Sequence, residues 1–547
     1  MSRQSRARWL TLALGLAGAA LIVAVAMVGA VGGPRAVAPS EAFAPPKFVD
    51  EAETAGVRHA YEGGFDFFVG GGVAAFDCSQ NGLPDLFFAG GAQPAALLRN
   101  ESRPGGELRF RRVEGLVSEL VDVTGAYPVD IDGDGILDLA VLRKGENLLL
   151  RGLGECQFER ANERWSLDGG DAWTTAFSAT WEARSEWPTL AFGEYLDEGS
   201  EGSNRLCHDN VLVRPNAAGD GFAPPVSLSP GWCTLSLLFS DWDRSGRRDL
   251  RASNDRHYYT DYSPGQEQLW RIEPGLAPRL YTREDGWQQL RVWGMGIASH
   301  DLTGDGYPEY YLTSQGDNKL QTLTDGPTQP AYRDTAILRG ATAHRPFTGD
   351  DQSLLSTAWH AEFADMNNDG LVDLFVSKGN VEAQAGHALQ DPNNLLLGQP
   401  DGSFVESAPE AGIVHFGRTR GAALVDLDGD GMLDLVEVNR RENVRLWRNL
   451  GWGSTEQPAA MGNWLSVELS QPGGNLDAIG AWVQVKLADR LTEREVVVGG
   501  GHAGGQVGPV HFGLGRSATA ELRVIWPDGE EGEWLQVSAN QHVLVER

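Results

Sequence analysis

Cysteine is nearly absent from this 547-residue chain, which has only four, at positions 78, 156, 207 and 233. No two of them form a CxxC pair, so the sequence does not support a zinc site or a thioredoxin-like redox motif. An even number permits two disulfide bonds in an exported protein. The spacing mildly favours pairing Cys207 with Cys233 and Cys78 with Cys156, but the sequence does not settle the connectivity.

Positive charge is also scarce. The chain has 45 lysines and arginines against 75 aspartates and glutamates, which gives a formal net charge of −30. Such a surface repels phosphate backbones, so we expect no nucleic-acid partner. The acidic residues do not form runs but recur singly and in register, which indicates a surface that holds cations rather than an acidic tail.

The common catalytic signatures are missing: there is no GxSxG elbow, no Walker loop and no HExxH motif. Gly499, Gly501 and Gly504 have the spacing of a dinucleotide fingerprint. No helix is predicted after them, however, and the phosphate site of that motif needs a helix N-terminus. We interpret His511 as a hydrogen-bonded structural residue, and we expect that the protein is not an enzyme.

The only long apolar run lies at the N-terminus, where Arg3, Arg6 and Arg8 precede the stretch from Leu10 to Val31. This pattern predicts a hydrophobic helix at residues 1–31 that is either a cleaved signal peptide or a membrane anchor through residues 10–31. The proline-containing stretch 32–46 is predicted to be a linker. We therefore expect an exported protein that is periplasmic, extracellular or anchored facing outside.

One unit is repeated along the rest of the chain: an apolar strand, an acidic nine-residue loop and a second apolar strand. The loops begin at residues 77, 130, 241, 301, 365 and 426, so one interval is about twice as long as the others. A degenerate copy fills that interval at Trp181 to Thr189, without the carboxylates. A further apolar segment after each loop, such as Leu97 to Asn100, predicts a third strand in each unit.

The repeats predict an all-β fold, because their period and alternating apolar strands fit four-stranded blades rather than a helical solenoid. The predicted architecture is a seven-bladed β-propeller over residues 47–452 and a small C-terminal antiparallel β-sandwich over 460–547. The segment from Phe48 to Val57 resembles the stretch that follows the later loops, although it precedes the first one. We expect it to pair with Leu446 to Asn449 and to hide an open sheet edge.

The six acidic loops are predicted to bind calcium. Side-chain oxygens at positions one, three and five converge on one point, and glycine at position six permits the turn. Position twelve lacks the glutamate of a helical calcium loop in every copy except the last, where we interpret Glu437 as a coincidence, so we assign the closing carboxylate to position nine. The candidate ligands, for up to six Ca²⁺ ions, are Asp77, Ser79, Asn81, Asp85, Asp130, Asp132, Asp134, Asp138, Asp241, Asp243, Ser245, Asp249, Asp301, Thr303, Asp305, Glu309, Asp365, Asn367, Asp369, Asp373, Asp426, Asp428, Asp430 and Asp434.

A simpler interpretation is that Asp-Gly pairs merely form hairpin turns. Turn formation needs no further carboxylates at positions one, three and nine, where like charges repel one another, so six aligned loops favour metal binding. The first copy has only two carboxylates, Asp77 and Asp85, and we expect it to have the lowest affinity.

The loops and their leading strands resemble FG-GAP/VCBS repeats, which occur in the propellers of integrin α-chains. The C-terminal part resembles the ASPIC/UnbV domain, and the combination is similar to the cartilage acidic protein 1-like family. This resemblance implies an extracellular or periplasmic calcium-binding protein without established catalytic activity. The segments that carry it are Gly70–Asp77, Gly421–Asp426, Asn463–Leu465, Ala478–Ala481, His511–Gly515 and Trp526–Gly529.

Three functions remain open at this point. The leading one is a binding, adhesion or scaffold module for an extracellular protein or glycan. The second is a propeller enzyme acting on extracellular polysaccharide, which requires a carboxylate pair or a histidine facing the central channel. The third is an accessory subunit of a membrane complex, which is favoured if the N-terminal segment is retained.

Overall fold

The computed structural model describes residues 42–183, 185–197, 206–255, 266–288, 290, 292–342, 345–347, 351–488 and 490–547. The predicted signal or anchor segment at residues 1–31 lies outside these ranges. Within them, no helix has both the length and the apolar character needed to cross a membrane. Residues Ser40–Arg547 form one compact unit.

The chain is all-β, and each strand is short. The strands of the first four sheets, with β1 ahead of them, are β1 (Lys47–Asp50), β2 (Val73–Phe76), β3 (Asp85–Phe88), β4 (Ala96–Asn100), β5 (Phe110–Val113), β6 (Val123–Val129), β7 (Asp138–Arg143), β8 (Leu148–Gly152), β9 (Phe158–Arg160), β10 (Thr174–Thr180), β11 (Thr189–Glu194), β12 (Asn210–Val213), β13 (Val226–Leu228), β14 (Thr234–Ser240), β15 (Asp249–Asn254), β16 (Gln268–Arg271) and β17 (Arg279–Leu280).

The next three sheets and one short helix follow. They are β18 (Gly294–His300), β19 (Glu309–Ser314), β20 (Lys319–Leu323), β21 (Tyr332–Asp334), β22 (Ala358–Ala364), β23 (Asp373–Lys378), β24 (Asn394–Gly398), β25 (Phe404–Glu406), α1 (Ala408–Ala411), β26 (Thr419–Val425), β27 (Asp434–Asn439) and β28 (Arg445–Gly451). The C-terminal strands are β29 (Asn463–Ser470), β30 (Trp482–Lys486), β31 (Leu491–Glu495), β32 (Val510–Gly515), β33 (Thr519–Ile525), β34 (Leu535–Ser538) and β35 (Gln541–Glu546).

Residues 47–451 of the described ranges contain seven four-stranded antiparallel sheets. Sheets 1 to 6 take four consecutive strands each, from β2–β5 to β22–β25, and sheet 7 has the order β1-β28-β27-β26. The first strand of each sheet contacts that of the next, from β2 through β6, β10, β14, β18 and β22 to β26, and β26 contacts β2. The series of contacts therefore returns to its starting strand.

Burial explains the sequence of each sheet. First strands such as β6 and β10 are buried along their whole length, so they have apolar or small residues without alternation, whereas the fourth strand β9 is largely exposed. Sheet 7 is completed by the N-terminal strand, with Phe48 opposite Asn449 and Asp50 opposite Trp447. This pairing confirms the sequence-based expectation, and so does sheet 3, in which the degenerate copy joins β10 to β11.

The four cysteines form the favoured disulfide pairs, Cys78–Cys156 and Cys207–Cys233. The first joins the loop that follows β2 to the turn between β8 and β9 of sheet 2. Its two residues are also joined through the backbone, because the Cys156 N–H donates to the Cys78 carbonyl at 3.0 Å.

The C-terminal domain consists of two sheets, with the orders β32-β29-β35 and β31-β30-β33-β34. It differs from the predicted antiparallel sandwich in two respects. First, β35 pairs with β29 in parallel, in a register that aligns Val467 with Val543. Second, the alternating residues from Glu495 to Val498 predict a strand of this domain, but β31 ends at Glu495, because Val498 leaves the domain and bridges to Ala179 in the ring of first strands.

The glycine-rich loop (residues 498–506) runs through the middle of the ring. Its bridge partners are Ala179, Leu238, Ile297, Ala126 and Ala75, which lie on the first strands of five different sheets. A Cβ on Gly504 would stand 2.1 Å from the Val73 carbonyl oxygen, so only glycine permits this approach. The glycines that resemble a dinucleotide motif therefore serve close backbone packing.

Candidate metal centre

The acidic loops occupy equivalent positions in the sheets, because each joins a first strand to a second strand. We number them by their sheets: loop 1 (residues 77–85), loop 2 (130–138), loop 3 (181–189), loop 4 (241–249), loop 5 (301–309), loop 6 (365–373) and loop 7 (426–434). Loop 3 is the degenerate copy.

One hydrogen bond is common to all six acidic loops. The carboxylate at position one accepts the backbone N–H of the glycine at position six, for example Gly82 to Asp77 at 2.7 Å and Gly431 to Asp426 at 2.8 Å. The same bond forms in loops 2, 4, 5 and 6. These six glycines have φ between +80° and +85°, a conformation that side chains with a Cβ adopt only under strain. Position one is thus fixed by the turn itself.

The position-nine carboxylate lies at the start of the second strand and is buried. In loop 2, Asp138 accepts the N–H of Ile131 within the loop at 2.8 Å and that of Gly152 on the third strand at 2.8 Å. Loop 7 repeats this arrangement with Asp434, Leu427 and Asn449. The carboxylate therefore ties the loop to its sheet.

Position five has a different local role. Asp134 accepts the N–H of Ile136 at 2.9 Å, and Asp430 accepts that of Met432 at 2.9 Å. This bond is an Asx turn that closes the second half of the loop. One oxygen of each position-five side chain is thereby used within the turn.

Loops 2 and 7 bring the predicted ligands of positions one, three and nine together. Oxygens of Asp130, Asp132 and Asp138 lie within 4.8 Å of one another, and so do those of Asp426, Asp428 and Asp434. In the described part of the chain, the carboxylates of loops 4, 5 and 6 form no such group of three. The structure also groups Asp85 of loop 1 with Cys78 and Cys156, but these sulfurs are joined in a disulfide and offer no thiolate.

Each of the two clusters contains an oxygen without a partner. Asp132 Oδ1 in loop 2 and Asp428 Oδ1 in loop 7 are buried and accept no hydrogen bond. A buried carboxylate oxygen in this condition is unfavourable unless a cation binds it. Two equivalent loops share the feature at the same position, so we attribute it to the motif.

The electrostatics of the two clusters also favour a bound cation. Burial raises the pKa of Asp138 to about 8, with Asp132 and Asp130 raising it further and the two backbone hydrogen bonds opposing the shift. Burial also raises the pKa of Asp428 to about 7, and the charge of Asp430 adds to this rise. Concentrated negative charge of this kind is favourable only beside a positive charge.

Part of the positive charge comes from arginines that lie outside the nine-residue loops. Arg151 donates to Asp132 Oδ2 at 2.8 Å and pairs with Asp134. Arg448 donates to Asp428 Oδ2 at 3.0 Å. Neither has a hydrogen bond to positions one or nine among the described contacts. These arginines could have been identified from the sequence, because Arg151 and Arg448 both lie in the recurrent third-strand segments.

In loops 5 and 6, no arginine donates to a side-chain oxygen of a candidate ligand among the described contacts, although Arg490 donates to the Asp369 backbone carbonyl of loop 6 at 3.2 Å. Glu309 accepts the N–H of Leu302 at 2.8 Å in loop 5. In loop 6, Asn367 Nδ2 donates to Asp369 at 3.2 Å, and Asp369 also accepts the N–H of Phe43 at 2.8 Å.

The degenerate loop 3 replaces the acidic cluster by an ion pair. Arg214 donates to Glu182 at 2.6 Å, and the Thr189 hydroxyl at position nine donates to the same carboxylate at 2.7 Å. The sequence predicts no metal site in this loop.

The C-terminal domain rests on the loop side of the sheets. His511 Nε2 lies 2.7 Å from Asn368 Oδ1 in loop 6, and burial lowers the pKa of His511 to about 3, with a further contribution from Arg494. A Cβ on Gly431 of loop 7 would meet the Trp464 indole at 1.9 Å. The acidic loops therefore form the contact surface for this domain, and the structural interpretation of His511 agrees with its buried position.

Two segments of the chain match known family models. Residues 365–437 match the family model described as an FG-GAP-like repeat, and residues 471–547 match the model described as ASPIC and UnbV. The resemblance stated from the sequence is confirmed for these two segments. They cover loops 6 and 7, the strands β23 to β26 with the start of β27, and the C-terminal strands from β30 to β35.

The particular relatives are named cartilage acidic protein 1. The chain is 26% identical to the Mus musculus protein over 239 residues, which are 43% of this chain and 34% of the relative. It is 34% identical to the Xenopus tropicalis protein over 115 residues, 21% of this chain and 17% of the relative. The chain thus spans about a third or less of the length of these relatives.

Solved structures with related folds share little sequence with this chain. An Agrocybe aegerita lectin that recognises non-reducing terminal N-acetylglucosamine has a TM-score of 0.39 and 15% identity, covering 70% of this chain and 92% of the lectin. PorZ of Porphyromonas gingivalis, a component of the type-IX secretion system, has a TM-score of 0.39 and 12% identity, covering 89% of this chain and 60% of PorZ.

Proposed function

We propose that this chain is an exported, calcium-binding, seven-bladed β-propeller that acts as a binding or scaffold module for an extracellular protein or glycan. The observation that carries the calcium assignment is the pair of buried, unpartnered oxygens, Asp132 Oδ1 and Asp428 Oδ1, at the same position of two acidic loops. The seven sheets, whose first strands contact one another in a closed series, support the number of blades.

The residues present fit a hard divalent cation. In loops 2 and 7, positions one, three and nine offer carboxylate oxygens, which are the ligands that calcium prefers. When bound, calcium would supply the positive charge that these clusters lack. Loops 1, 5 and 6 offer fewer convergent carboxylates, and we propose weaker sites there.

The proposed ligand surface lies at the other ends of the first strands. A cavity of about 270 Å³ is lined by Phe65, Phe68, Trp359, Met295 and Asp255, among others. Met295 and Trp359 are at the starts of β18 and β22, whereas the acidic loops follow the ends of the first strands. Phe65 is 53% exposed at this cavity, which gives a ligand an aromatic surface to contact.

The charges around the cavity favour a neutral ligand with polar groups. Glu382 also lines it, but this carboxylate is already paired with Arg418, Arg440 and Arg441. Burial raises the pKa of Asp255 to about 7, opposed by the hydrogen bond from the Tyr195 hydroxyl at 2.7 Å. Neither carboxylate is thus a strong site for a cation, and the arginines are not free to bind an anion. A sugar residue or an uncharged segment of a protein fits this chemistry.

A second candidate function, cleavage of polysaccharide, is favoured by one observation in the same cavity. Two carboxyl groups, Asp255 and Glu382, line the cavity, and this is the residue type that such an enzyme requires. Burial raises the pKa of Asp255. Partial burial opposes the shift of Glu382, but its hydrogen bond and charge interaction with Arg440 lower its pKa. The Glu382 carboxylate is held by three arginines, so we propose binding as the main function.

The localisation and the remaining partner follow from the N-terminal segment. We propose secretion or an outward-facing anchor through residues 10–31. Sequencing the N-terminus of the mature protein distinguishes these, and a retained segment favours the accessory subunit of a membrane complex.

Calcium binding is tested by counting ions bound to the full mature chain, by equilibrium dialysis with metal analysis. Asp428→Asn and Asp132→Asn each remove the charge that faces the unpartnered position, so each variant should bind one ion fewer or bind it much more weakly. Asp401→Asn is the matched control, because Asp401 accepts a hydrogen bond from Ser403 in an exposed Asp-Gly turn outside the loops. Equal binding by all three variants and the wild type would refute the assignment.

The ligand surface is tested separately. Phe65→Ala should abolish or strongly weaken capture of neutral saccharides on an array, while Phe416→Ala, which removes another exposed ring (44% exposed) outside the cavity lining, should not. Release of sugar products that is lost in Asp255→Asn would instead support the enzyme.

A further inference from the structure

Loop 4 differs from the other acidic loops because it contains three arginines. They are Arg244, Arg247 and Arg248, at positions four, seven and eight. Arg247 donates through Nε to Asp249 Oδ1 at 2.9 Å and through its NH2 group to Asp249 Oδ2 at 3.1 Å. The same NH2 group lies 3.3 Å from Asp243 Oδ2. One guanidinium thus contacts two of the four predicted calcium ligands of this loop.

The position-nine carboxylate of loop 4 has no capacity left for a metal. Besides Arg247, Asp249 accepts the Trp242 indole N–H at 2.9 Å, the Tyr281 hydroxyl at 2.8 Å and the Ile272 backbone N–H at 3.1 Å. A carboxylate offers about four lone-pair sites, and these are filled by five donor contacts.

The contrast with loop 2 is direct. Asp138 accepts only two backbone N–H groups, from Ile131 and Gly152, and it lies in a cluster with Asp130 and Asp132. In loop 7, Arg448 binds position three but leaves Asp434 with two backbone donors. Loop 4 also has Ser245 at position five, where loops 2 and 7 have aspartate.

The other two arginines of loop 4 hold the C-terminal domain. Arg244 pairs with Glu493 at 2.9 Å, and its guanidinium lies 3.8 Å from the centre of the Trp482 ring. Arg248 donates to the Pro527 carbonyl at 2.9 Å. The loop backbone adds a further contact, because the Asp241 N–H donates to Glu495 at 2.9 Å.

We infer that loop 4 is a metal-independent clasp: the Arg247 guanidinium takes the place of calcium, and the loop holds the C-terminal domain on the propeller whether or not calcium is present. This inference rests on the proposed function in one respect, since a clasp of this kind is distinctive only if other loops bind calcium. It overrides the expectation that Asp241, Asp243, Ser245 and Asp249 form a calcium site.

The first test compares position three in three loops of the full chain. Asp243→Asn in loop 4 should leave the number of bound calcium ions unchanged, whereas Asp132→Asn in loop 2 and Asp428→Asn in loop 7 should each reduce it by one. A loss of one ion in Asp243→Asn would overturn the inference. If the wild type binds no calcium at all, the proposed function fails, and the second test still decides the clasp.

The second test measures docking of the C-terminal domain without metal. In excess chelator, hydrogen exchange of the Asp241 amide, which donates to Glu495 across the contact, should remain slow in the wild type and in Arg283→Gln, a control arginine outside the loop. It should become at least tenfold faster in the double variant Arg244→Gln with Arg247→Gln. Fast exchange in the wild type in chelator, or unchanged exchange in the double variant, would overturn the clasp.

Discussion

The passage of the glycine-rich loop through the ring gives the sharpest test of the fold. Gly125 lies on the first strand of sheet 2, and a Cβ there would stand 1.8 Å from the Ala503 carbonyl oxygen. Its backbone has no positive φ, so alanine causes no strain of its own at this position. Gly125→Ala therefore perturbs one contact, the one between the ring and the loop.

The loss of stability expected for Gly125→Ala follows from the contacts that the glycine-rich loop would lose. To clear the new methyl group, the 498–506 backbone must shift by at least about 1 Å, since Cβ contacts below 3.0 Å do not occur. The shift weakens the bonds from Gly500 to Leu237 and from Gly501 to Ile297, both 2.7 Å. At about 1 kcal/mol for each bond and about 1 kcal/mol or more for overpacking, the loss is about 3 kcal/mol.

The assay is hydrogen exchange of the Gly500 and Gly501 amides in the folded protein. A loss of about 3 kcal/mol accelerates local opening on the order of 100-fold. Gly64→Ala is the control, because its added Cβ meets nothing within 4 Å and its φ is −73°. If Gly125→Ala exchanges at the rate of Gly64→Ala, the loop does not pack inside the ring as described.

Three further outcomes are expected. Replacing both Cys78 and Cys156 by alanine should lower the free energy of unfolding by about 4.5 kcal/mol in urea, because the disulfide closes a loop with a sequence separation of 78; a loss below about 1 kcal/mol would contradict this. Burial, followed by the charge of Arg420, lowers the pKa of His502 to about 3, so the unfolded chain takes up the proton first and stability falls as pH drops below about 6.5. Between pH 6.5 and 5, this proton uptake should lower the free energy of unfolding by about 2 kcal/mol. His502→Gln should lack this part of the pH dependence. The same pH dependence in the wild type and the variant would refute the prediction. Alanine in place of Gly431 should displace Trp464 and loosen the C-terminal domain, measured as faster proteolysis between residues 452 and 463; Gly529→Ala, with a similar φ of +86° and no neighbour within 4 Å, is the control.

The repeated sheets could be predicted because the acidic loops mark strand ends. Asp130 and Asp138 stand one residue after β6 and at the first residue of β7, so each loop fixes one first strand and one second strand. The degenerate loop 3 was found by the interval alone, since its sheet keeps the apolar strands β10 and β11 while its carboxylates are lost. The N-terminal strand β1 was placed by its likeness to later repeats.

The glycine-rich loop could not be placed from the sequence. Its contacts join residues such as Gly504 and Val73, which are far apart in the chain, and they involve backbone atoms rather than a recognisable side-chain pattern. The same reason explains why the parallel pairing of β35 with β29 was not predicted, since it depends on the packing of the whole C-terminal domain. Alternation of apolar residues predicts a strand but not its neighbour.

The sequence predicts which residues form the candidate site, but it does not predict which of these carboxylates are already paired with an arginine. The loop motif identified Asp132 and Asp428, whereas the roles of Arg151, Arg247 and Arg448 depend on where their guanidinium groups lie. Arg247 shows the limit most clearly: by spacing, loop 4 has ligands at positions one, three, five and nine, yet its position-nine carboxylate is already saturated by donors.

The central claim, that acidic loops of the propeller bind calcium, is tested most directly by thermal unfolding of the mature protein in calcium and in excess chelator. Each site filled at a hundred times its dissociation constant stabilises the folded state by about 2.7 kcal/mol. We predict a melting temperature many degrees lower in chelator, restored by calcium. The same melting temperature in both conditions would contradict the account.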